Sequence, residues 1–180
     1  MISYAITDPT TLNLLHIESD IKRFSDKKAS MIVYRDKENG ICTYDAQKFV
    51  DEARKYNFEK VLLHRDIALA KKSGLDGVHL TSKQFKEIEV AKREGLFVVI
   101  STHSIEEAKK AEKLGADMVT YSPIFKSPRK REPVGLHMLS ELTSSVKIPV
   151  IALGGILTDE QAEACQMSGA CGFASIRYFA

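Results

Sequence analysis

The chain has 180 residues, of which 26 are Lys or Arg, 24 are Asp or Glu and 44% are hydrophobic. This composition is typical of a globular chain that buries one core without disulfide or metal staples, and it excludes a disordered or fibrous protein. A formal net charge of +2 predicts no nucleic-acid partner, and no apolar run approaches the roughly 20 residues of a membrane span. The first residues lack a signal-peptide pattern, so one cytoplasmic domain over residues 1–180 is expected.

Cysteine and histidine spacing gives no sign of a disulfide framework or a metal site. The three cysteines, Cys42, Cys165 and Cys171, form no Cys-x-x-Cys pair, and their odd number favours reduced, structural thiols. No three of the five histidines share a metal-ligand spacing. We therefore predict no bound metal from spacing alone.

Short β-rich apolar runs alternate with segments of helical period along the whole chain. Eight strands are predicted, at residues 2–7, 31–35, 60–64, 77–80, 97–101, 118–123, 149–154 and 172–177. Several are apolar almost throughout, which is typical of parallel strands covered on both faces. The alternation predicts a compact (β/α)8 TIM barrel of α/β class, with an open doubly wound sheet as the alternative.

Helix boundaries are clearest in the second half of the chain. Ser104 and Thr158 each precede a helical pattern and are followed three residues later by Glu or Gln, a capping box. They predict helices over residues 105–114 and 159–167. The helix predicted over residues 66–73 is only about two turns long.

No helix is predicted after the eighth strand, because the chain reaches Ala180 soon after it. The groove between the first and seventh helices would then be uncovered. An exposed apolar patch of that kind favours a partner, so a homodimer is expected to cover it.

In a barrel the active site lies at the carboxyl ends of the strands. Cationic side chains are frequent at those positions here, namely Arg35, Lys37, Arg65, Arg129, Lys130 and Arg177. Together they favour an anionic, phosphorylated ligand. The alternative is a set of solvated loop charges.

Two further features lie at strand ends. Gly154 and Gly155 follow the seventh strand, where backbone N–H groups can approach a phosphate, although a Gly-Gly pair also suits a simple tight turn. His103 follows the fifth strand and is a candidate for proton transfer near neutral pH. His64 and His79 also end strands, and each of the three could instead satisfy a backbone carbonyl.

Eight short motifs, in matching order and spacing, make the sequence resemble the thiamine phosphate synthase/TenI superfamily over essentially its whole length. They lie at residues 5–8, 34–37, 76–80, 101–108, 115–117, 122–125, 134–135 and 148–156. The resemblance implies a (β/α)8 barrel. For the synthase members it implies the joining of a pyrimidine diphosphate to a thiazole phosphate with Mg²⁺, releasing pyrophosphate.

The sequence departs from the synthase pattern at the residues that bind Mg²⁺. That pattern has an acid after the third strand and another after the fourth, and here Arg65 and Gln84 stand at those positions. Mg²⁺ takes oxygen ligands, and a guanidinium in that place would repel it. Asp66, one residue along, could replace the first acid only if the loop shifted.

The TenI branch lacks the same acids, and its thiazole tautomerases have a His at the position of His103. Those enzymes isomerise a thiazole carboxylate phosphate, which requires a phosphate clamp and one acid/base group but no metal or other cofactor. The resemblance thus favours a TenI-like tautomerase in which His103 transfers the proton. A Mg²⁺-dependent synthase is the first alternative, and a non-catalytic barrel that binds a phosphorylated ligand is the second.

The resemblance and the strand-end positions together give the predicted contacts to a phosphorylated heterocycle. They are Arg35, Lys37, His64, Ser101, Ser127, Arg129, Lys130, Gly135, Gly154, Gly155 and Arg177. Ser127, Arg129 and Lys130 replace the family's Thr-x-Thr-Lys phosphate clasp.

Overall fold

Eight parallel strands close a barrel in chain order, so the predicted compact (β/α)8 barrel is confirmed. The structure is a computed structural model and describes residues 1–128 and 131–180. β8 pairs with β1, and every other strand pairs with the next along the chain. The strands are β1 Ile2–Ile6, β2 Met31–Tyr34, β3 Lys60–His64, β4 Gly77–Leu80, β5 Phe97–Thr102, β6 Met118–Tyr121, β7 Val150–Leu153 and β8 Gly172–Ser175.

Seven α-helices surround the barrel in the described ranges. They are α1 Ile17–Asp26, α2 Thr43–Ala53, α3 Ile67–Lys72, α4 Ile88–Arg93, α5 Ile105–Lys113, α6 Gly135–Ser145 and α7 Asp159–Met167. Single 3-10 turns precede α4, at Phe85–Glu87, and follow β8, at Arg177–Phe179. Within the described ranges, none of these helices has the length and apolar character that crossing a membrane would take.

Strand side chains alternate between two apolar layers. One layer fills the barrel and contains Tyr4, Ile6, Met31, Val33, Leu62, Val99, Met118, Ile151 and Ala174. The other lies between the strands and the helices and includes Ile32, Leu63 and Val119. Several inward positions nearer the carboxyl ends are polar, among them His64, His79 and Ser101, which places functional groups at the mouth of the barrel.

Local capping sets the helix starts near that mouth. The Ser104 hydroxyl accepts a hydrogen bond from the Glu107 N–H (3.1 Å), and the Glu107 carboxylate accepts one from the His103 N–H (2.6 Å). The predicted cap at Ser104 is therefore confirmed, and the Glu107 carboxylate bonds to the N–H of the residue before the N-cap. At α3 the Asp66 carboxylate accepts from the Leu69 N–H (2.8 Å), so this acid caps a helix.

The expectation of an uncovered groove beside the first helix was wrong. Phe179, in the turn after β8, is fully buried between Phe24 of α1 and Phe173, with ring centroids 6.3 and 6.0 Å away. Arg23 of α1 donates to the Phe179 carbonyl (3.2 Å), and the Tyr178 hydroxyl bonds to Asp159 of α7. The last residues thus cover the groove themselves, which removes the reason for expecting a dimer there.

Candidate functional site

The ends of β2, β3 and β4 bring a pair of cations beside two histidines. The Arg35 N–H donates to the Thr7 hydroxyl (3.0 Å), which ties the end of β2 to β1. The positive charges of Arg35 and Lys37 act on the imidazoles of both His64 and His79. The structure therefore brings together three of the predicted contacts, Arg35, Lys37 and His64.

Both imidazoles are neutral at physiological pH. Burial, followed by the effects of the neighbouring His79, Arg35 and Lys37, lowers the pKa of His64 to about 2. Burial, followed by the charges of Arg35 and Lys37, lowers the pKa of His79 to about 3. Arg35 and Lys37 supply positive potential in this region, and the neutral His79 hydrogen-bonds to Tyr4 and Ser101.

His79 links two side chains on the inner face of the barrel. The Tyr4 hydroxyl lies 2.9 Å from its Nδ1, and the Ser101 hydroxyl lies 3.0 Å from its Nε2. Ser101 is a predicted contact, whereas Tyr4 was missed. The available sequence signal was the inward register of Tyr4 on β1, which puts its ring under the mouth.

His103 is held by the end of β6. Its Nδ1 lies 2.9 Å from the Ser122 carbonyl oxygen. Because a carbonyl only accepts, the neutral imidazole has its proton on Nδ1 and leaves Nε2 as an acceptor. Arg131 donates to the carbonyls of His103 (2.8 Å) and Ser122 (3.1 Å), and it joins Glu107 in fixing the backbone at His103.

Sequence reasoning missed Arg131 and the second role of Glu107. Arg131 directly follows Arg129 and Lys130 in the sequence but was not among the predicted contacts. Glu107 was identified solely as a capping residue. Arg131 acts on backbone groups of other elements, for which the sequence has no local signal, whereas Glu107 bonds to an N–H only four residues away.

The Gly154-Gly155 pair lets two loops pack closely. Their φ angles are +101° and +72°. A Cβ on Gly154 would lie 2.8 Å from the Cα of Pro123, and one on Gly155 would lie 2.6 Å from the Lys126 carbonyl oxygen. Both residues must therefore be glycine for the loop after β6 to lie against the end of β7.

The remaining predicted contacts differ in their burial and hydrogen bonding. Gly135 begins α6 and its N–H already bonds to the Ile124 carbonyl (3.2 Å). Ser127 is half-buried in the loop after β6, and Arg177 is exposed at the start of the last turn. The predictions for Arg129 and Lys130 lie outside the described residues.

Arg65 and Gln84, at the two positions where the synthase pattern has acids, are in contact through a hydrogen bond. The Gln84 amide donates to the Arg65 carbonyl (3.1 Å) and accepts from the Thr81 N–H (3.0 Å). Asp66 is engaged as the cap of α3. Across residues 1–128 and 131–180 no three His, Cys, Asp or Glu side chains are grouped to hold a metal ion. The guanidinium and the amide at the two family positions supply no carboxylate oxygen, so these residues do not fit Mg²⁺.

A cleft of about 690 Å³ opens beside the mouth, between the loops that follow β1 and β2. Arg35 lines it together with the carboxylates of Asp8, Asp36 and Asp45. Hydrogen bonds from the Asn39 side chain and from the backbone of Glu38 and Asn39 lower the pKa of Asp36 against the opposing effect of burial. Arg35 thus belongs to both the mouth and the cleft.

Comparison with known proteins agrees with this architecture. The family model described as thiamine monophosphate synthase matches residues 3–179. An Aquifex aeolicus protein, provisionally assigned as a second thiamine-phosphate synthase, is 39% identical over 98% of this chain and 96% of its own length. A thiamine-phosphate synthase of Caldivirga maquilingensis is 34% identical over 96% of this chain and 85% of its own length.

Solved structures give the same relationship. The thiamine phosphate pyrophosphorylase of Pyrococcus furiosus superposes with a TM-score of 0.80 at 28% identity, covering 97% of this chain and 85% of the other. An N-acetylmannosamine-6-phosphate 2-epimerase of Clostridium perfringens, at 17% identity and a TM-score of 0.76, shares the fold. Because the family model matches almost the whole chain and the fold is the same barrel, the chain belongs to the thiamine monophosphate synthase family.

Proposed function

We propose that this protein binds a thiazole carboxylate phosphate at the mouth of its barrel and isomerises it to the aromatic tautomer by proton transfer at His103. The Nδ1 bond to the Ser122 carbonyl carries this proposal, because it leaves Nε2 of the neutral ring as a base. The substrate loses one proton to Nε2 and regains one at another atom, so its composition is unchanged. Aromatisation supplies the driving force.

The rest of the mouth supports binding of an anion. Arg35 and Lys37 supply positive charge on one side of the barrel. On the other side the Gly155 N–H has no hydrogen-bond partner within residues 1–128 and 131–180, and a phosphate oxygen could accept from it.

The misfit to Mg²⁺ favours a metal-free reaction. The synthase pattern has two carboxylates at the positions of Arg65 and Gln84. Here the Gln84 amide instead donates a hydrogen bond to the Arg65 backbone carbonyl. The guanidinium of Arg65 adds positive charge at the end of β3, which disfavours binding of Mg²⁺.

The second candidate is the synthase reaction, in which a pyrimidine diphosphate and a thiazole phosphate are joined. The names of the relatives favour it, because those of Caldivirga maquilingensis and Clostridium novyi are called thiamine-phosphate synthases. It shares the thiazole phosphate moiety with the first candidate but requires a second, diphosphate substrate.

One experiment separates the two reactions. The purified protein is mixed with thiazole carboxylate phosphate, and isomerisation is followed by absorbance and NMR, with and without EDTA. In parallel it receives the pyrimidine diphosphate, thiazole phosphate and Mg²⁺, and release of pyrophosphate is measured. We expect isomerisation that EDTA does not affect, whereas Mg²⁺-dependent pyrophosphate release would replace the proposal with the synthase reaction.

The His103→Ala variant tests the role of the imidazole. We expect turnover to fall by about 100-fold or more, since a positioned acid/base group contributes 10²–10⁴-fold. Binding of the phosphorylated product, measured by calorimetry, should change little. His137→Ala, at an exposed position on α6, is the matched control, and unchanged turnover in His103→Ala would remove the residue from the mechanism.

A further inference from the structure

A buried hydrogen-bonded series runs up the inner wall of the barrel from Tyr4 through His79 to Ser101. Tyr4 is fully buried and its hydroxyl lies 2.9 Å from Nδ1 of His79. His79 is 4% exposed, and its Nε2 lies 3.0 Å from the hydroxyl of Ser101, which is partly exposed at the mouth. The three side chains come from β1, β4 and β5.

The direction of these hydrogen bonds follows from counting donors. Within residues 1–128 and 131–180, the Tyr4 hydroxyl has no hydrogen-bond partner other than His79. If Nδ1 had the proton, the tyrosine hydrogen would be a buried donor without an acceptor, which is disfavoured. Tyr4 therefore donates to Nδ1, and the proton of the neutral imidazole is on Nε2.

The direction of the Ser101 hydroxyl follows from the same count of donors. Because Nε2–H donates to the Ser101 oxygen, the serine hydrogen must point elsewhere. Thr120, its register partner on β6, has a buried hydroxyl with no hydrogen-bond partner in the described part of the chain, so the serine proton is not used there. The remaining direction is the mouth.

We propose that Tyr4 and His79 are positioning residues that make Ser101 a fixed hydrogen-bond donor to an anionic oxygen of the ligand. The identity of that ligand rests on the proposed function, whereas the direction of the donors does not. A carboxylate oxygen and a phosphate oxygen are both acceptors of the right chemistry. Ser101 thus contributes to selecting the anion, and the neutral His79 contributes no charge.

The direction is tested without ligand. The protein is labelled with 15N-histidine, and the long-range 15N–1H correlations of His79 are recorded between pH 5 and 8. We expect the Nε2–H tautomer throughout, and an Nδ1–H or doubly protonated ring would overturn the proposal. Failure of the proposed function leaves this measurement unaffected.

Ligand binding then tests the role of the series. Dissociation constants are measured by calorimetry for thiazole carboxylate phosphate and for thiazole phosphate without the carboxylate. Ser101→Ala should weaken binding by about 10-fold to 100-fold, the range for a hydrogen bond to a charged group. Loss confined to the carboxylate compound identifies the carboxylate as the acceptor, equal loss for both identifies the phosphate, and no loss overturns the contact.

A double-mutant cycle shows whether Tyr4 acts through Ser101. Tyr4→Phe should weaken binding about 3-fold to 10-fold in the parent and have no effect in the Ser101→Ala background. Tyr121→Phe removes a hydroxyl from a similarly buried ring in the layer facing the helices and should change nothing. Equal effects of Tyr4→Phe in both backgrounds would mean a general structural role and contradict the proposal.

Conservative rescue completes the test. His79→Gln keeps an amide N–H near the position of Nε2 and should retain most of the affinity. His79→Leu has a similar size but no donor and should bind as weakly as Ser101→Ala. Equal affinities of the two folded variants would contradict the role of the His79 donor.

Discussion

His64 and His79 show how a residue's surroundings change its chemistry. Free imidazoles titrate near pH 6.5, whereas burial, together with the charges of Arg35 and Lys37, lowers the pKa values of these two to about 2 and about 3. Their rings lie 6.3 Å apart, and protonation of either would place a charge beside the other and beside Arg35. Both are therefore unsuited to carrying a proton near neutral pH, which agrees with the proposal that His103 does so.

This shift predicts a pH dependence of stability. Between about pH 6.5 and pH 3 the unfolded state binds more protons than the folded state at each of these histidines. Their contribution is fully present above pH 6.5 and is lost as the pH falls, by up to about 1.4 kcal/mol per pH unit for each group. Urea unfolding of the parent should therefore show a free energy of unfolding that decreases from pH 7 to pH 5.

The His79→Gln variant isolates one of the two groups. Its slope between pH 6.5 and pH 5 should be smaller than the parental slope by up to about 1.4 kcal/mol per pH unit, whatever its absolute stability. The exposed His137→Gln should keep the parental slope. A His79→Gln slope equal to that of the parent would show that His79 titrates normally in the folded state.

At the scale of elements, the turn Arg177–Phe179 takes the place of a helix after β8. Its stability comes from burial of one aromatic ring and from hydrogen bonds to α1 and α7, because three residues form no helical stretch of their own. Phe179 lies in the apolar layer between the strands and the helices. The turn therefore closes that layer where β8 returns to α1.

Truncation of that ring should be costly. Phe179→Ala is expected to lower the free energy of unfolding by about 3–5 kcal/mol, the usual range for a buried aromatic side chain. Met167→Ala, at the end of α7 and 90% exposed, should change it by less than about 0.5 kcal/mol. A loss below about 1 kcal/mol in Phe179→Ala would mean that the turn does not stabilise the barrel.

At the scale of the whole molecule, closure of the barrel depends on close backbone approach at its seam. Gly172 begins β8 and pairs with Ile2 of β1. A Cβ on Gly172 would lie 2.1 Å from the Ile2 carbonyl oxygen, a distance that requires the strands to move apart. The seam is the contact of longest sequence separation in the sheet, so its loss would open the barrel.

Gly172→Ala is therefore expected to destabilise the whole domain. Gly40→Ala is the matched control, since Gly40 has a φ of +73° but open space around it and should cost only about 1 kcal/mol. The Gly172→Ala variant should lose at least about 2 kcal/mol more in urea unfolding, or fail to fold. Equal losses would show that the seam tolerates a methyl group.

The sequence by itself determined the features that depend on neighbours along the chain. Short apolar, β-rich runs and segments of helical period predicted eight strands and the intervening helices, and Ser104 and Thr158 marked two helix starts that the structure confirms. Family motifs and strand-end positions placed Arg35, Lys37, His64, Ser101 and His103 at the mouth. Their strand-end positions agree with the structure, because parallel strands bring their carboxyl ends to one end of the barrel whatever the conformation of the loops.

The tertiary structure alone decided how those residues act. Tyr4 and His79 are 75 residues apart, and His103 is oriented by Ser122 and Arg131 from the next strand and loop. The bond from Gln84 to Arg65, and the Phe179 ring that fills the groove, also join distant segments. Protonation, tautomer and burial depend on what surrounds a group in space, and a linear sequence does not specify those surroundings until the barrel has closed.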